Sequence, residues 1–238
     1  SVKPISLTSI NTTLDYWVTE GEKIRLVFYS DESLKNTPKV TFKSGGNSYA
    51  TSTLMGKMDP NHTDLASNKY EAVYTIESKD SSDGLIFYEI SNIYDEDGNQ
   101  GIPKTGSSQL KLDTTPPTIL DSSITLIGSV NENWVKDTET IKLTFTTNEG
   151  IITPTVSFRT GGNNDNYSTT TANQIATDLS GTPQNTSATC WEVSYPIDST
   201  DVSGKDGKVF YEISFIDLAG NAGIPKTGSS NLSIDTTK

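Results

Sequence analysis

The chain has 238 residues and a formal net charge of -12, from 18 Lys and Arg against 30 Asp and Glu, which excludes a basic nucleic-acid binder and disfavours an anionic membrane surface. No apolar run approaches the ~20 residues that span a bilayer, so we expect no membrane insertion. The first residues lack the pattern of a signal peptide and do not begin with Met, which indicates a processed or excised piece, and the one cysteine, Cys190, excludes an internal disulfide.

The second half of the chain repeats the first. Residues 84–115 closely match residues 207–237, and WVTEGEKIRLVF from Trp17 matches WVKDTETIKLTF from Trp134. We therefore predict two domains of ordinary size, residues 1–115 and 116–238. The linker, residues 113–118, reads DTTPPT, and its two prolines predict a short, stiff connector. The chain starts and stops at equivalent points of the repeat, which indicates an excerpt from a longer array.

Alternating apolar residues predict strands in chain order within each copy. The first copy has such segments at 5–10, 24–28, 40–42, 70–76, 86–90 and 110–112, and the second at 119–126, 141–145, 156–158, 191–197, 209–213 and 232–234. With a variable strand in the threonine-rich middle, each copy has about seven strands. This pattern is typical of an all-β fold of two tandem immunoglobulin-like β-sandwich domains.

The segment that leads into the strand at 86–90 supports the immunoglobulin-like assignment. Asp83-Gly84, followed by Tyr88 and Ile90, resembles the turn into strand F of immunoglobulin domains, where a tyrosine anchors a corner two residues before a cysteine. Ile90 stands at the cysteine position and Phe42 near that of the core tryptophan, so packing replaces the disulfide. The second copy repeats this arrangement.

Two further features carry a family resemblance: the linker DTTPPT and the loops DEDGNQG from Asp95 and DLAGNAG from Asp217. Together they resemble the tandem bacterial immunoglobulin-like (Big-type) repeats of large surface proteins and adhesins. The resemblance implies an extracellular, cell-surface spacer or stalk module whose partners are neighbouring repeats of the same chain. When the two loops are aligned, the first copy has one extra residue, which we place within residues 94–97.

Calcium is the one cofactor that the loop residues suggest. If the domains stack head to tail, oxygen ligands from both domains and the linker would meet at the joint and stiffen it. The predicted ligands are Asp80, Asp83, Asp113, Glu149, Asp217 and Asn221. The same residue types are ordinary in tight turns, and that alternative stays open.

Two repeated features are expected to have structural roles. IPKTG, from Ile102 and from Ile224, resembles a sortase signal, but it lies inside the domains, where glycine and proline would shape a long connection. Trp17 and Trp134 are expected to plug the sandwich end rather than to form a sugar-stacking platform.

Catalysis is not supported by the sequence. His62 is the only histidine and has no counterpart in the second copy, and Cys190 opens a strand, so no catalytic residues are assigned and the protein is predicted not to be an enzyme. The alternatives to a spacer are a carbohydrate- or protein-binding module on a cell surface, or a glycosylated filament component of a eukaryotic microbe. Five glycosylation sequons, at Asn11, Asn61, Asn166, Asn185 and Asn231, occur at about the chance frequency. The threonine-rich stretch 167–189 is the expected surface contact if there is one.

Overall fold

The computed structural model describes residues 1–10, 16–64, 68–162, 174–178, 189–197 and 206–235. The chain divides into two compact units, Ser1–Thr115 and Pro116–Lys238. Each unit is an immunoglobulin-like β-sandwich, and no α-helix occurs in the described ranges.

The first unit contains nine strands among its described residues: β1 (Val2–Ser9), β2 (Trp17–Val18), β3 (Lys23–Ser30), β4 (Lys39–Ser44), β5 (Thr53–Met58), β6 (Asn61–Asp64), β7 (Lys69–Thr75), β8 (Gly84–Ser91) and β9 (Lys104–Leu112). One sheet has the order β1-β3-β7-β6 and the other β2-β9-β8-β4-β5. The sequence predicted about seven strands. The difference arises because the variable middle forms two strands, β5 and β6, and because the two-residue strand β2 is too short to show alternation.

The second unit contains eight described strands: β10 (Thr125–Gly128), β11 (Trp134–Val135), β12 (Thr140–Thr146), β13 (Thr155–Gly162), β14 (Gln174–Asp178), β15 (Cys190–Pro196), β16 (Gly207–Ser214) and β17 (Lys226–Ile234). Their sheets have the orders β10-β12-β15 and β11-β17-β16-β13-β14. The prediction of an opening strand over 119–126 is largely wrong. A 3₁₀ turn at Asp121–Ser123 interrupts that segment, and Ile119 makes only an isolated bridge with Thr147.

Each sandwich encloses its own apolar core between its two sheets. Alternate side chains are buried in β3 of the first unit and in β12 of the second, whereas β8 and β16 also bury the intervening Phe87 and Phe210. Phe42, Ile90, Phe158 and Ile213 are fully buried at the positions that the sequence assigned to the core. Burial of each such side chain contributes roughly 1.5 to 3 kcal/mol, which holds the sheets together without a disulfide.

The second and last described strands of each unit pair in parallel. β2 lies beside β9, with Trp17 opposite Lys111, and β11 lies beside β17, with Trp134 opposite Ser233. In the first unit the N–H of Lys111 donates to the Tyr16 carbonyl at 2.8 Å. In the second, the N–H of Ser233 donates to the Asn133 carbonyl at 2.9 Å. All other strand pairs in the part of the chain that the structure describes are antiparallel.

Candidate functional site

The loop that follows β8 in the first unit is closed by one aspartate. Asp95 Oδ1 accepts the N–H of Asn99 at 2.7 Å, and its Oδ2 accepts the Asn99 side-chain amide at 2.7 Å. These hydrogen bonds favour the ionised carboxyl group, and they lower the pKa of Asp95 below its ordinary value. Gly98, at φ 88°, supplies the left-handed backbone conformation that the turn requires.

The loop that follows β16 in the second unit has the same construction. Asp217 Oδ1 accepts the N–H groups of Ala219 and Asn221 at 2.8 and 2.9 Å, and its Oδ2 accepts the Asn221 amide at 2.8 Å. Asp217 is buried, at 1% exposure. Its carboxylate therefore replaces water as the partner of three donors inside the turn.

Asp95 is the counterpart of Asp217, although only Asp217 is among the predicted calcium ligands. The two loops correspond residue for residue, because the bridge between Tyr94 and Gln100 matches the bridge between Ile216 and Ala222. The extra residue of the first copy is Asn92, which lies just after β8 at φ 57°, so its placement within 94–97 was wrong. The D-x-x-G-N spacing, which both loops share, is the sequence signal that identifies Asp95 as the counterpart of Asp217.

Asp83 forms hydrogen bonds with the C-terminal end of the first unit, residues 114–115. Its Oδ1 accepts the N–H and the hydroxyl of Thr114, both at 2.8 Å, and its Oδ2 accepts the hydroxyl of Thr115 at 2.6 Å. Asp113 contacts the same segment, since its Oδ1 accepts the N–H of Thr115 at 3.1 Å. The residues of the sequence DTT thus take part in local hydrogen bonds just after the end of β9.

Asp80 is buried at 4% exposure and bonds to Tyr74. Its Oδ2 accepts the Tyr74 hydroxyl at 2.7 Å and the Glu77 N–H at 2.9 Å, whereas its Oδ1 is buried and has no partner among the described residues. Burial, together with this hydrogen bond, raises the pKa of Tyr74 well above its ordinary value.

The six predicted calcium ligands divide between the two units, three in each. Within the second unit, Asp217 and Asn221 lie together and bond to each other, and Glu149 accepts the side-chain amide of Asn148 at 3.3 Å. Within the first unit, Asp83 and Asp113 both bond to residues 114–115, while Asp80 bonds separately to Tyr74. The predicted calcium site at the joint stays a prediction.

The repeated segment GIPKTG has a packing role in both units. A Cβ at Gly106 would lie 2.6 Å from Cζ of Tyr88, and a Cβ at Gly228 would lie 2.7 Å from Cζ of Tyr211. Lys104 to Gly106 belong to β9 rather than to the preceding connection, which corrects that part of the prediction. Tyr88 lies within β8 in the core rather than at its corner, with its ring over Gly106.

The two equivalent tryptophans differ in exposure. Trp17 is half-buried, and the ammonium group of Lys111 lies over its ring at 5.0 Å from the centroid. Trp134 is 54% exposed, so the prediction that it plugs the sandwich is wrong. The register explains the difference, because Ser233 occupies the position of Lys111 and is too short to cover an indole.

The remaining candidates are placed as follows. Cys190 is exposed at the start of β15, with its Sγ 3.7 Å from the Thr146 hydroxyl. His62 lies on β6 opposite Tyr70. Asn61 and Asn231 are exposed, whereas the other three sequons lie outside the described residues, as does most of the stretch 167–189. No helix in the described ranges is long and apolar enough to cross a membrane.

No family model and no curated protein matches the chain. Among solved structures, the chain is similar to the fibronectin(III)-like modules of Clostridium thermocellum CbhA, with 14% identity, a TM-score of 0.31 and coverage of 97% of this chain and 94% of that chain. It is also similar to a marsupial T cell receptor, with 10% identity, a TM-score of 0.30 and coverage of 99% and 73%. The fold assignment depends on the strand orders and cores described above.

Proposed function

We propose that this chain is a pair of spacer repeats from the stalk of an extracellular surface fibre or adhesin, flanked by further copies of the same repeat. The observation that carries the proposal is the parallel pairing of the second and last strands of each sandwich, β2 with β9 and β11 with β17. A stalk has to transmit tension along its chain, and this pairing suits that task.

The geometry resists tension for a simple reason. When a unit is pulled by its two ends, the early strand is drawn backward along its own direction and the last strand is drawn forward. In a parallel pair these forces slide one strand along the other, so the hydrogen bonds between them are loaded together. Adjacent antiparallel end strands would instead separate one bond at a time. Forced unfolding is governed by the unfolding rate, which this arrangement lowers.

The polar groups of the loops support the same role. The carboxylates of Asp83, Asp95 and Asp217 are engaged by N–H and hydroxyl donors of their own loops, which fixes the loop backbones. The same loop occurs in both copies, as expected of a structural feature that is selected in every repeat. Calcium at the joint would add stiffness, and it forms part of the proposal.

Single-molecule force spectroscopy of the chain held by its ends tests the proposal. We expect two discrete unfolding events, each releasing about 400 Å of chain, since a unit of about 115 residues extends by roughly 3.5 Å per residue. Smooth extension at low force would contradict a tension-bearing role. Antibodies against the chain should label intact cells of the source organism, and labelling only after permeabilisation would contradict the surface location.

A second candidate function is recognition of a surface glycan or protein. The exposed indole of Trp134 is the specific observation that favours it.

A further inference from the structure

The Trp134 indole and its surroundings form a shallow groove on the second unit that the spacer role does not use. The groove has a volume of about 320 Å³ and is lined by Val130, Asn131, Trp134, Val135, Lys136, Glu139 and Asp235. Val130 is 77% exposed, so two large apolar side chains face solvent within one small concavity. This volume lies at the lower end of the range for small-ligand sites, which suits a ligand of one or two rings.

The equivalent tryptophan in the first unit shows that exposure is not inherent in this position. Trp17 is half-buried beneath the Lys111 side chain, although both tryptophans occupy the same place on a two-residue strand. Replacement of that lysine by Ser233 uncovers Trp134 alone. One repeat therefore carries an open aromatic face that its neighbour in the chain covers with its own side chain.

The backbone around Trp134 is held in a fixed shape. A Cβ at Gly128 would overlap the Asn131 carbonyl oxygen and would lie 2.6 Å from the Val135 Cγ1, so glycine permits the loop after β10 to pack closely on β11. The Asn131 Oδ1 accepts the N–H of Asn133 at 2.9 Å, which leaves the amide nitrogen of Asn131 as a donor. The Glu139 Oε2 accepts the N–H of Lys136 at 3.1 Å.

The charges around the groove indicate the class of ligand. Lys136 and Glu139 line it and lie near each other, with 3.8 Å between Nζ and Oε1. Asp235 adds a second carboxylate. The lining therefore has one ammonium group and two carboxylates, which disfavours an anionic ligand and supplies acceptors for the hydroxyl groups of a neutral one. A flat aromatic surface with donors and acceptors at its rim matches a ring that has one apolar face and hydroxyl groups at its edge.

We propose that the groove binds a neutral saccharide, with one sugar ring stacked on the Trp134 indole and its hydroxyl groups bonded to rim residues such as Glu139 and Asn131. The site uses side chains of β11 and its surroundings, whereas tension would load the backbone hydrogen bonds between β11 and β17, so sugar binding and resistance to force can be tested independently. It would give this repeat a contact that the first repeat lacks.

The test uses the whole chain labelled with ¹⁵N, in which the indole N–H signals of its three tryptophans report separately. Cellobiose, mannobiose and N,N′-diacetylchitobiose are the probes, and choline chloride is the cationic control. We expect at least one disaccharide to shift the Trp134 signal saturably at millimolar concentration while the Trp17 signal stays unchanged. Trp134→Ala should abolish binding as followed by calorimetry.

The matched variants are Ser233→Lys and Ser233→Thr. Ser233→Lys places over Trp134 the side chain that covers Trp17, and we expect it to weaken binding at least tenfold, whereas Ser233→Thr should leave binding unchanged. Urea unfolding of both variants checks that the second unit is folded. The proposal is overturned if no disaccharide shifts the Trp134 signal, if choline alone shifts it, or if folded Ser233→Lys binds as tightly as the unaltered chain.

Discussion

The contact between Tyr88 and Gly106 offers a direct test of how the repeated GIPKTG segment is used. The Gly106→Ala variant would place its Cβ 2.6 Å from Cζ of a tyrosine that is only 7% exposed. This separation is about 1 Å below the optimal distance between carbon atoms, so the buried ring has to move. Overpacking of this kind costs about 1–3 kcal/mol, which corresponds to a fall of about 4–12 °C in Tm for a domain of this size.

Urea and thermal unfolding of the two-unit chain measure this cost. We expect Gly106→Ala to shift only the transition of the first unit and Gly228→Ala to shift only that of the second. Ser107→Ala, at the next and exposed position of β9, is the control and should change neither transition. In a Tyr88→Ala background, Gly106→Ala should cost little, because the clash is gone. An equal loss in both backgrounds would refute the packing explanation.

Three further predictions concern the polar groups. Asp217→Ala strands the N–H groups of Ala219 and Asn221 in a buried turn, and it should lower the stability of the second unit by about 1–3 kcal/mol in urea unfolding, whereas Asp217→Asn should lose less. The pKa of Tyr74 is raised in the folded protein, so the stability that its protonated hydroxyl contributes is fully present below about pH 10 and is lost as the pH rises above that value. Tyr74→Phe should therefore flatten the decline in stability at alkaline pH. An unchanged slope of stability against pH in this variant would contradict the prediction. If the predicted calcium site at the joint forms, adding Ca²⁺ after chelation should release heat and raise Tm, and the absence of both effects would remove it.

Much of the sandwich could be predicted because its strands have one buried face. In β3, for example, Ile24, Leu26 and Phe28 alternate with exposed or half-exposed residues, and this period of two is visible in the letters. Strand β2 escaped prediction because two residues cannot show a period. Its existence depends on a pairing with β9, about 90 positions away along the chain.

The candidate sites were less predictable than the fold, since they depend on contacts between distant residues. Trp17 and Trp134 have similar local sequences, and what separates them is the partner across the strand pair, Lys111 or Ser233. The position of the extra residue at Asn92 is likewise set by the bridge pattern of the loop. Asp95, in contrast, could have been found from spacing alone.

The most direct test of the spacer account compares Lys111→Pro with Lys111→Ala in end-to-end force spectroscopy. Both variants remove the side chain that covers Trp17, but only proline removes the N–H that bonds to the Tyr16 carbonyl between β2 and β9. The account predicts that the first unit of the Lys111→Pro chain unfolds at a much lower force than that of the Lys111→Ala chain, while the second unit is unchanged. Equal unfolding forces in the two variants would contradict the claim that this parallel strand pair carries the tension.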